Sequence, residues 1–397
     1  MPNQLESLPV TTRRRRPGPV RTAVGPVAVI GVFGVTMGIT YPLLSRMLEQ
    51  AGHSGTLIGF NGAMTPLGMI LTAALIPALV RRFGAWLVML GATVGSAGVL
   101  ALFAMTDVVA LWFLFRFVLG SFAVAMFILS ETWISENADG EHRGRLLTAY
   151  TSVLALGFCV GPLVLSVSGS EALTLAIAVA CPLVAVIPLC TERSQIPAMW
   201  ASGRVPVGAL ARQLSVLMVA VLAVSVFDAV TLQFLPLYWD QAGLAEGQGE
   251  LALTTLLIGQ MTLQFPLGWL ADRIGGRSAL LLSLVVGTAG ALLLPVGTGL
   301  GGWLWPLIAV WGGVAFAGYP LVLNILGAGL EGESLLLGNT AFAVVWGIGG
   351  VVGPPYTGAA MDLWGANGMP WSLAALWVLA LIVTATTLAL RRKPLRS

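Results

Sequence analysis

Long apolar segments, each near the length a helix needs to cross a bilayer, follow one another along the whole chain, separated by short polar or glycine-rich turns. They predict spans at 24–47, 56–79, 85–105, 108–133, 146–168, 171–190, 214–239, 251–270, 278–298, 303–328, 335–360 and 369–390. The runs are continuous and do not alternate, so they predict helices and exclude a β-barrel. One long polar interruption, 191–213, contains Pro197, Pro206 and three arginines. The expected fold is an all-α membrane protein of twelve transmembrane helices in two pseudo-symmetric six-helix bundles. Its parts are a tail at 1–23, a bundle at 24–190, a linker at 191–213, a second bundle at 214–390 and a tail at 391–397.

The halves resemble each other at two places. The turn Gly268–Arg277, GWLADRIGGR, is matched by Pro77–Trp86, PALVRRFGAW, which sets Arg82-Phe83-Gly84 against Arg273-Ile274-Gly275. In the fifth and eleventh spans, Gly157, Gly161 and Pro162 answer Gly349, Gly353 and Pro354. Glycines four apart clear one stripe of a helix for close approach by a neighbour. The proline removes an intrahelical hydrogen bond and can bend the span.

Composition strengthens this reading. The 397 residues are 57% hydrophobic and only 9% charged, and the mean hydropathy is +0.90, too apolar for a soluble chain of this length. All twenty Lys and Arg except Arg46 and Arg116 fall in the tails, the linker and alternate turns. Such a bias places those turns and both termini in the cytoplasm. The net charge of +3 therefore reflects topology and gives no indication of nucleic-acid binding. The first span follows Arg13–Arg16 without a small-residue cleavage site, so it reads as a retained helix and not a signal peptide. Cys159, Cys181 and Cys190 show no disulfide pattern and read as packing residues. His53 and His142 fall in turns, and no metal spacing, P-loop or acyl-transfer arrangement is present, so neither an enzyme nor a cofactor is expected.

Twelve spans, a central linker, twin halves and GWLADRIGGR together resemble the major facilitator superfamily, whose signature at this turn has the form G-x-x-x-D-R-x-G-R-R. Gly268, Asp272, Arg273, Gly275 and Arg277 carry the second-half copy. The first-half copy departs, with Pro77 for the leading glycine and Arg81 for the aspartate. Arg116 and Gly120 resemble the fourth-span motif of proton-coupled members, and Gly157, Gly161 and Pro162 the fifth-span element of antiporters, without its trailing glycines. The resemblance implies that Asp272 lies near the N-terminus of the eleventh span, where a helix dipole favours a carboxylate. A cytoplasmic gate is then expected from Asp272, Arg273 and Arg277 in one half, with a purely topological anchor as the alternative, and from Arg81 and Arg82 with Glu131, Glu136 or Glu141 in the other, with an ordinary hydrated charge cluster as the alternative.

Two charges fall deep inside spans. Arg116 lies nine residues from Asp107, about 13 Å deep, and should face the bundle interior. Asp228 lies about 21 Å into the seventh span. Both are candidates for proton coupling, because a deeply placed carboxyl can take up or release a proton as its hydration changes. The alternatives are a structural hydrogen-bonding role for Arg116, and a satisfied buried carboxyl or an outer-lumen residue for Asp228. A central cavity in this fold would draw on Tyr41, Asn61, Met126, Gln233, Gln260, Gln264, Tyr319, Asn324, Asn339 and Trp346. Such a mixed aromatic and amide lining suits a small organic molecule, neutral or amphipathic. The expected protein is a proton-coupled secondary transporter, an antiporter exporting such a solute by alternating access. It would act as a monomer in the bacterial cytoplasmic membrane, with protons, lipid and a small-molecule substrate as its partners. A proton-coupled importer and a non-transporting receptor or assembly protein are the rival expectations.

Overall fold

The helices alternate in direction through the membrane, and their ends follow local chemistry. A computed structural model of the chain describes residues 24–137, 143–193, 215–244, 247–299, 301–327 and 332–391. The first half contains α1 (Val24–Gln50), α2 (Gly55–Ala73), α3 (Ile76–Phe83), α4 (Ala85–Phe103), α5 (Val109–Asn137), α6 (Arg143–Ser168) and α7 (Glu171–Thr191). The second contains α8 (Ser215–Gln241), α9 (Gly249–Ile274), α10 (Gly276–Leu293), α11 (Leu304–Phe316), α12 (Gly318–Gly327), α13 (Gly332–Trp364) and α14 (Gly368–Arg391). Among the described residues there is no strand. We call the face on which α1 begins and α14 ends proximal, and the opposite face distal. Apart from Arg391, the expected tails lie outside the described residues, as does all of the expected linker beyond Arg193.

Two expected spans are each built from two helices. The second divides into α2 and α3, with Pro77 at the first turn of α3, a position where its missing N–H costs nothing. The tenth divides into α11 and α12, because Pro320 cannot donate to the carbonyl of Phe316, where α11 stops. The eleventh is longer than expected, and as α13 it runs on to Trp364 at the distal face.

The internal duplication is visible in the backbone. Gly84 ends α3 with φ 82° and ψ 151°, and Gly275 ends α9 with φ 85° and ψ 140°. The two turns thus make the same left-handed reversal, which glycine alone adopts without steric cost. In the first bundle α6 packs on α1 and α2 on α5. In the second, α9 packs on α11 and α13 on α8. The expected glycine stripes lie at these contacts. A Cβ on Gly157 would stand 2.7 Å from the Gly31 carbonyl oxygen, and one on Gly349 2.5 Å from Ser225 Oγ. Gly161 faces Gly38, and Gly353 faces Val226.

The spans α1 and α8 are the most buried, with 78% and 72% of their apolar windows inside the structure. They occupy the centre, one from each bundle. Phe227 on α8 anchors the second core through edge contacts with Trp311, Phe316 and Trp377 at 4.9, 5.1 and 5.7 Å. Large apolar side chains such as Phe265, Val184 and Ile187 stay exposed on the perimeter. Hydrocarbon is the solvent that such a perimeter fits.

Candidate functional site

The bundle interface brings the two intramembrane charges together around one tyrosine. Arg116 on α5 is 1% exposed, and its guanidinium lies 5.4 Å from the centre of the Tyr41 ring on α1. Its Nη2 donates to the Thr40 carbonyl at 3.5 Å, and its Nε has no partner. Tyr41 is half-buried, beside Thr65 on α2, and within electrostatic reach of both Arg116 and Asp228. Asp228, on α8 of the other bundle, is half-buried, and its carboxyl forms no hydrogen bond or ion pair with another described residue. The three side chains therefore span both bundles near mid-membrane, with the arginine shielded by the tyrosine ring and the carboxyl without a partner among the described residues.

One turn from Asp228 toward the proximal face, Ser225 Oγ donates to the Trp346 carbonyl, which ties α13 to α8. The Trp346 ring meets the Tyr319 ring edge-on at 4.6 Å, and both side chains are half-buried. Tyr319 is in turn within electrostatic reach of Glu131 on α5. Glu131 is exposed and has no ion-pair partner among the described residues.

Other expected cavity residues sit elsewhere. Met126 is 2% exposed and accepts from Ser96 Oγ at 3.7 Å, inside the first bundle. Asn61 is fully buried on α2, with neither amide atom partnered. Gln233 is fully buried at the seam between bundles, where its Nε2 donates to the Ile58 carbonyl at 2.6 Å. Gln260 is half-buried on α9 and Gln264 is exposed one turn further on. Asn324 is exposed near the α9–α10 turn, its Oδ1 3.9 Å from where a Cβ on Gly276 would stand. The side chain of Asn339 lies outside the described residues.

The seam is closed at its distal end by contacts that sequence reading did not identify. Asp362 at the end of α13 accepts from Gly55 N at 2.6 Å and from Thr56 N and Oγ1 at 2.8 and 2.5 Å. With Ser54 Oγ accepting from Leu57 N at 3.3 Å, the first-turn donors of α2 are satisfied, two of them by the other bundle. Arg46 pairs with Glu250 at 2.7 Å, and Gln241 Nε2 donates to Glu49. Below these contacts α2 and α13 touch backbone to backbone, Gly55 against Gly358 and Gly59 against Pro354. The available signal was Arg46 itself, the one basic residue at a distal helix end, which needs an acidic neighbour there.

The expected gate residues lie at the proximal end and are apart. Arg81, Arg82, Glu131, Glu136, Asp272, Arg273 and Arg277 are all exposed, and none is ion-paired with another described residue. Arg82 lies 5.3 Å over Phe83 and Arg273 3.6 Å over Trp269. Gly268 borders open space. Glu141 lies outside the described residues. Among the described residues, the charged contacts that join the bundles therefore lie at the distal face.

Comparison with known proteins agrees with this architecture. Residues 27–245 and 216–397 match the model of the Major Facilitator Superfamily. The chain is 23% identical over 378 residues to YfkF of Bacillus subtilis (strain 168), an uncharacterized MFS-type transporter, covering 90% of this chain and 94% of that protein. It is 24% identical over 263 residues to YcaD of Salmonella arizonae, also an uncharacterized MFS-type transporter, covering 64% and 67%. Among solved structures, a mutant of the nucleoside transporter NupG superposes with TM-score 0.79 at 15% identity, covering 92% of this chain and 99% of that one. A bacterial homolog of the human lysosomal transporter Spinster, inward-facing and occupied, gives 0.75 at 12% identity, covering 96% and 98%. Matched by the family model in both halves and folded as a multi-pass membrane transporter, the chain belongs to the Major Facilitator Superfamily.

Proposed function

We propose that this secondary transporter is a proton-coupled antiporter that exports a small organic or amphipathic solute. Its proximal face is assigned to the cytoplasm of a bacterial cell, and it acts as a monomer. The observation that carries the reading is the unpartnered carboxyl of Asp228 at the seam between bundles, facing Tyr41. A carboxyl without a fixed cation changes protonation as the surrounding water and ligand change. In the state described here, solute enters between the open proximal ends and Asp228 exchanges its proton for that solute. Closure of the proximal face by the Asp272 and Arg81 turns and release of the distal contacts then present the site to the other side. The Lys and Arg distribution supports the orientation.

Flux in everted membrane vesicles tests this. Solute accumulation driven by an inward-acid gradient, collapsing with a protonophore and lost in Asp228→Asn, is the expected result. Equal flux with and without the gradient overturns proton coupling. Uptake into right-side-out vesicles under an outside-acid gradient would replace export by import.

A further inference from the structure

We infer that the solute is an amphipathic organic cation with a flat apolar body, a reading that rests on the transport role above and names the chemistry of its site. Carboxyls and aromatic rings succeed one another along the facing helices of the two bundles. Glu131 lies six residues from the proximal end of α5, about 9 Å along the helix, and Asp228 thirteen residues from the start of α8, about 20 Å. The half-buried rings of Tyr319 and Trp346 lie between them, linked to Glu131 by electrostatic reach and to α8 through Ser225. Among the described residues, no guanidinium or ammonium acts electrostatically on either carboxyl.

The one deep cation is not available to a ligand. Arg116 is covered by the Tyr41 ring and is 1% exposed, so an anion reaches it only by displacing that ring. The other described arginines of the proximal face stand in its turns, with Arg82 and Arg273 lying over neighbouring rings. A solute passing between the bundles from the proximal side therefore meets the exposed carboxyl of Glu131, two half-buried aromatic rings, and a second carboxyl at depth. An ionised carboxyl attracts a cation and repels an anion, and the electron-rich ring faces have the same preference. Flat apolar groups stack on the rings, while the cationic centre takes the place a proton would hold at Asp228.

Two ions of one shape and opposite charge make the test. Radiolabelled tetraphenylphosphonium and tetraphenylborate are bound at equilibrium to the purified full chain in nanodiscs, at one pH, with empty nanodiscs subtracted. The expected result is at least about tenfold tighter binding of the phosphonium. Asp228→Asn should weaken the phosphonium about tenfold and leave the borate unchanged, Glu131→Gln should weaken it about threefold, and Asp228→Glu should retain it. Trp346→Leu, which alters no charge, should weaken both ions, and it reports on the site independently of whether Asp228→Asn folds. Borate binding as tight as phosphonium binding, or phosphonium binding unaffected by both carboxyl substitutions, overturns the inference. No gradient enters the assay, so loss of proton coupling leaves it intact, and an anion preference overturns the cation reading while leaving proton-coupled export standing.

Discussion

The two ends of the bundle interface are built from similar materials and are in opposite conditions. At the distal end, Asp362 holds the first turn of α2, Arg46 holds Glu250, and glycines bring α2 and α13 into backbone contact. At the proximal end, the turns at Arg81–Gly84 and Asp272–Arg277 carry as many charges but reach no partner among the described residues. The difference teaches that charge at a helix end does not close a gate by itself. Closure takes a carboxylate aimed at unsatisfied helix donors and a seam without side chains to hold the helices apart. The distal face has both in this state, whereas at the proximal face the Asp272 carboxylate reaches no donor among the described residues.

Four substitutions break or sharpen that comparison. The largest effect is expected from Gly358→Leu, because even a Cβ there would overlap the Gly55 carbonyl. The distal seam should open almost completely, read as lengthening of a spin-label distance between positions 51 and 242. Arg46→Ala leaves Glu250, 1% exposed, without its cation. Losing one partner of a buried pair costs about 3–5 kcal/mol, discounted here because Arg46 is 31% exposed. The same distance should still shift its population by more than about tenfold toward the open form, at roughly 1.4 kcal/mol per tenfold. Asp362→Ala leaves two α2 donors uncapped, a loss of about 1–2 kcal/mol. That should slow hydrogen exchange less at Gly55 and Thr56, with protection reduced about 5- to 30-fold. Asp272→Asn should have the smallest effect on this state, with thermal stability of the purified protein unchanged within about 0.5 kcal/mol, since its carboxylate touches no described partner here. A large destabilisation by Asp272→Asn would place the proximal turn in the contacts of this state and dissolve the comparison.

Much of the fold was legible because a bilayer imposes length and hydropathy on each helix independently. The divided second and tenth spans were less so. Pro77 starts a new helix and Pro320 ends one, while Pro42, Pro162 and Pro354 stay inside continuous helices. The intramembrane charges Arg116 and Asp228 stood out in the sequence because a charge in hydrocarbon needs a reason. Their arrangement did not, since Tyr41 shields one and faces the other only after α1, α5 and α8 pack together. Gln233 and Met126 are polar or polarizable positions on central helices, yet they fill the seam and the first core, where helix rotation decides which face a residue takes. Asp362 was hidden for a related reason. It looks like an ordinary acid at a span end until α13 runs past its expected boundary to meet α2.

The central claim is that distal closure and proximal opening are two ends of one movement. Double electron-electron resonance on the full chain in nanodiscs tests it, with one label pair at positions 51 and 242 and another at 82 and 277, each with and without Arg46→Ala. The account predicts that the substitution lengthens the distal distance and shortens the proximal one, with the same fraction of molecules changing at both. A distal distance that lengthens while the proximal distribution stays fixed would contradict it.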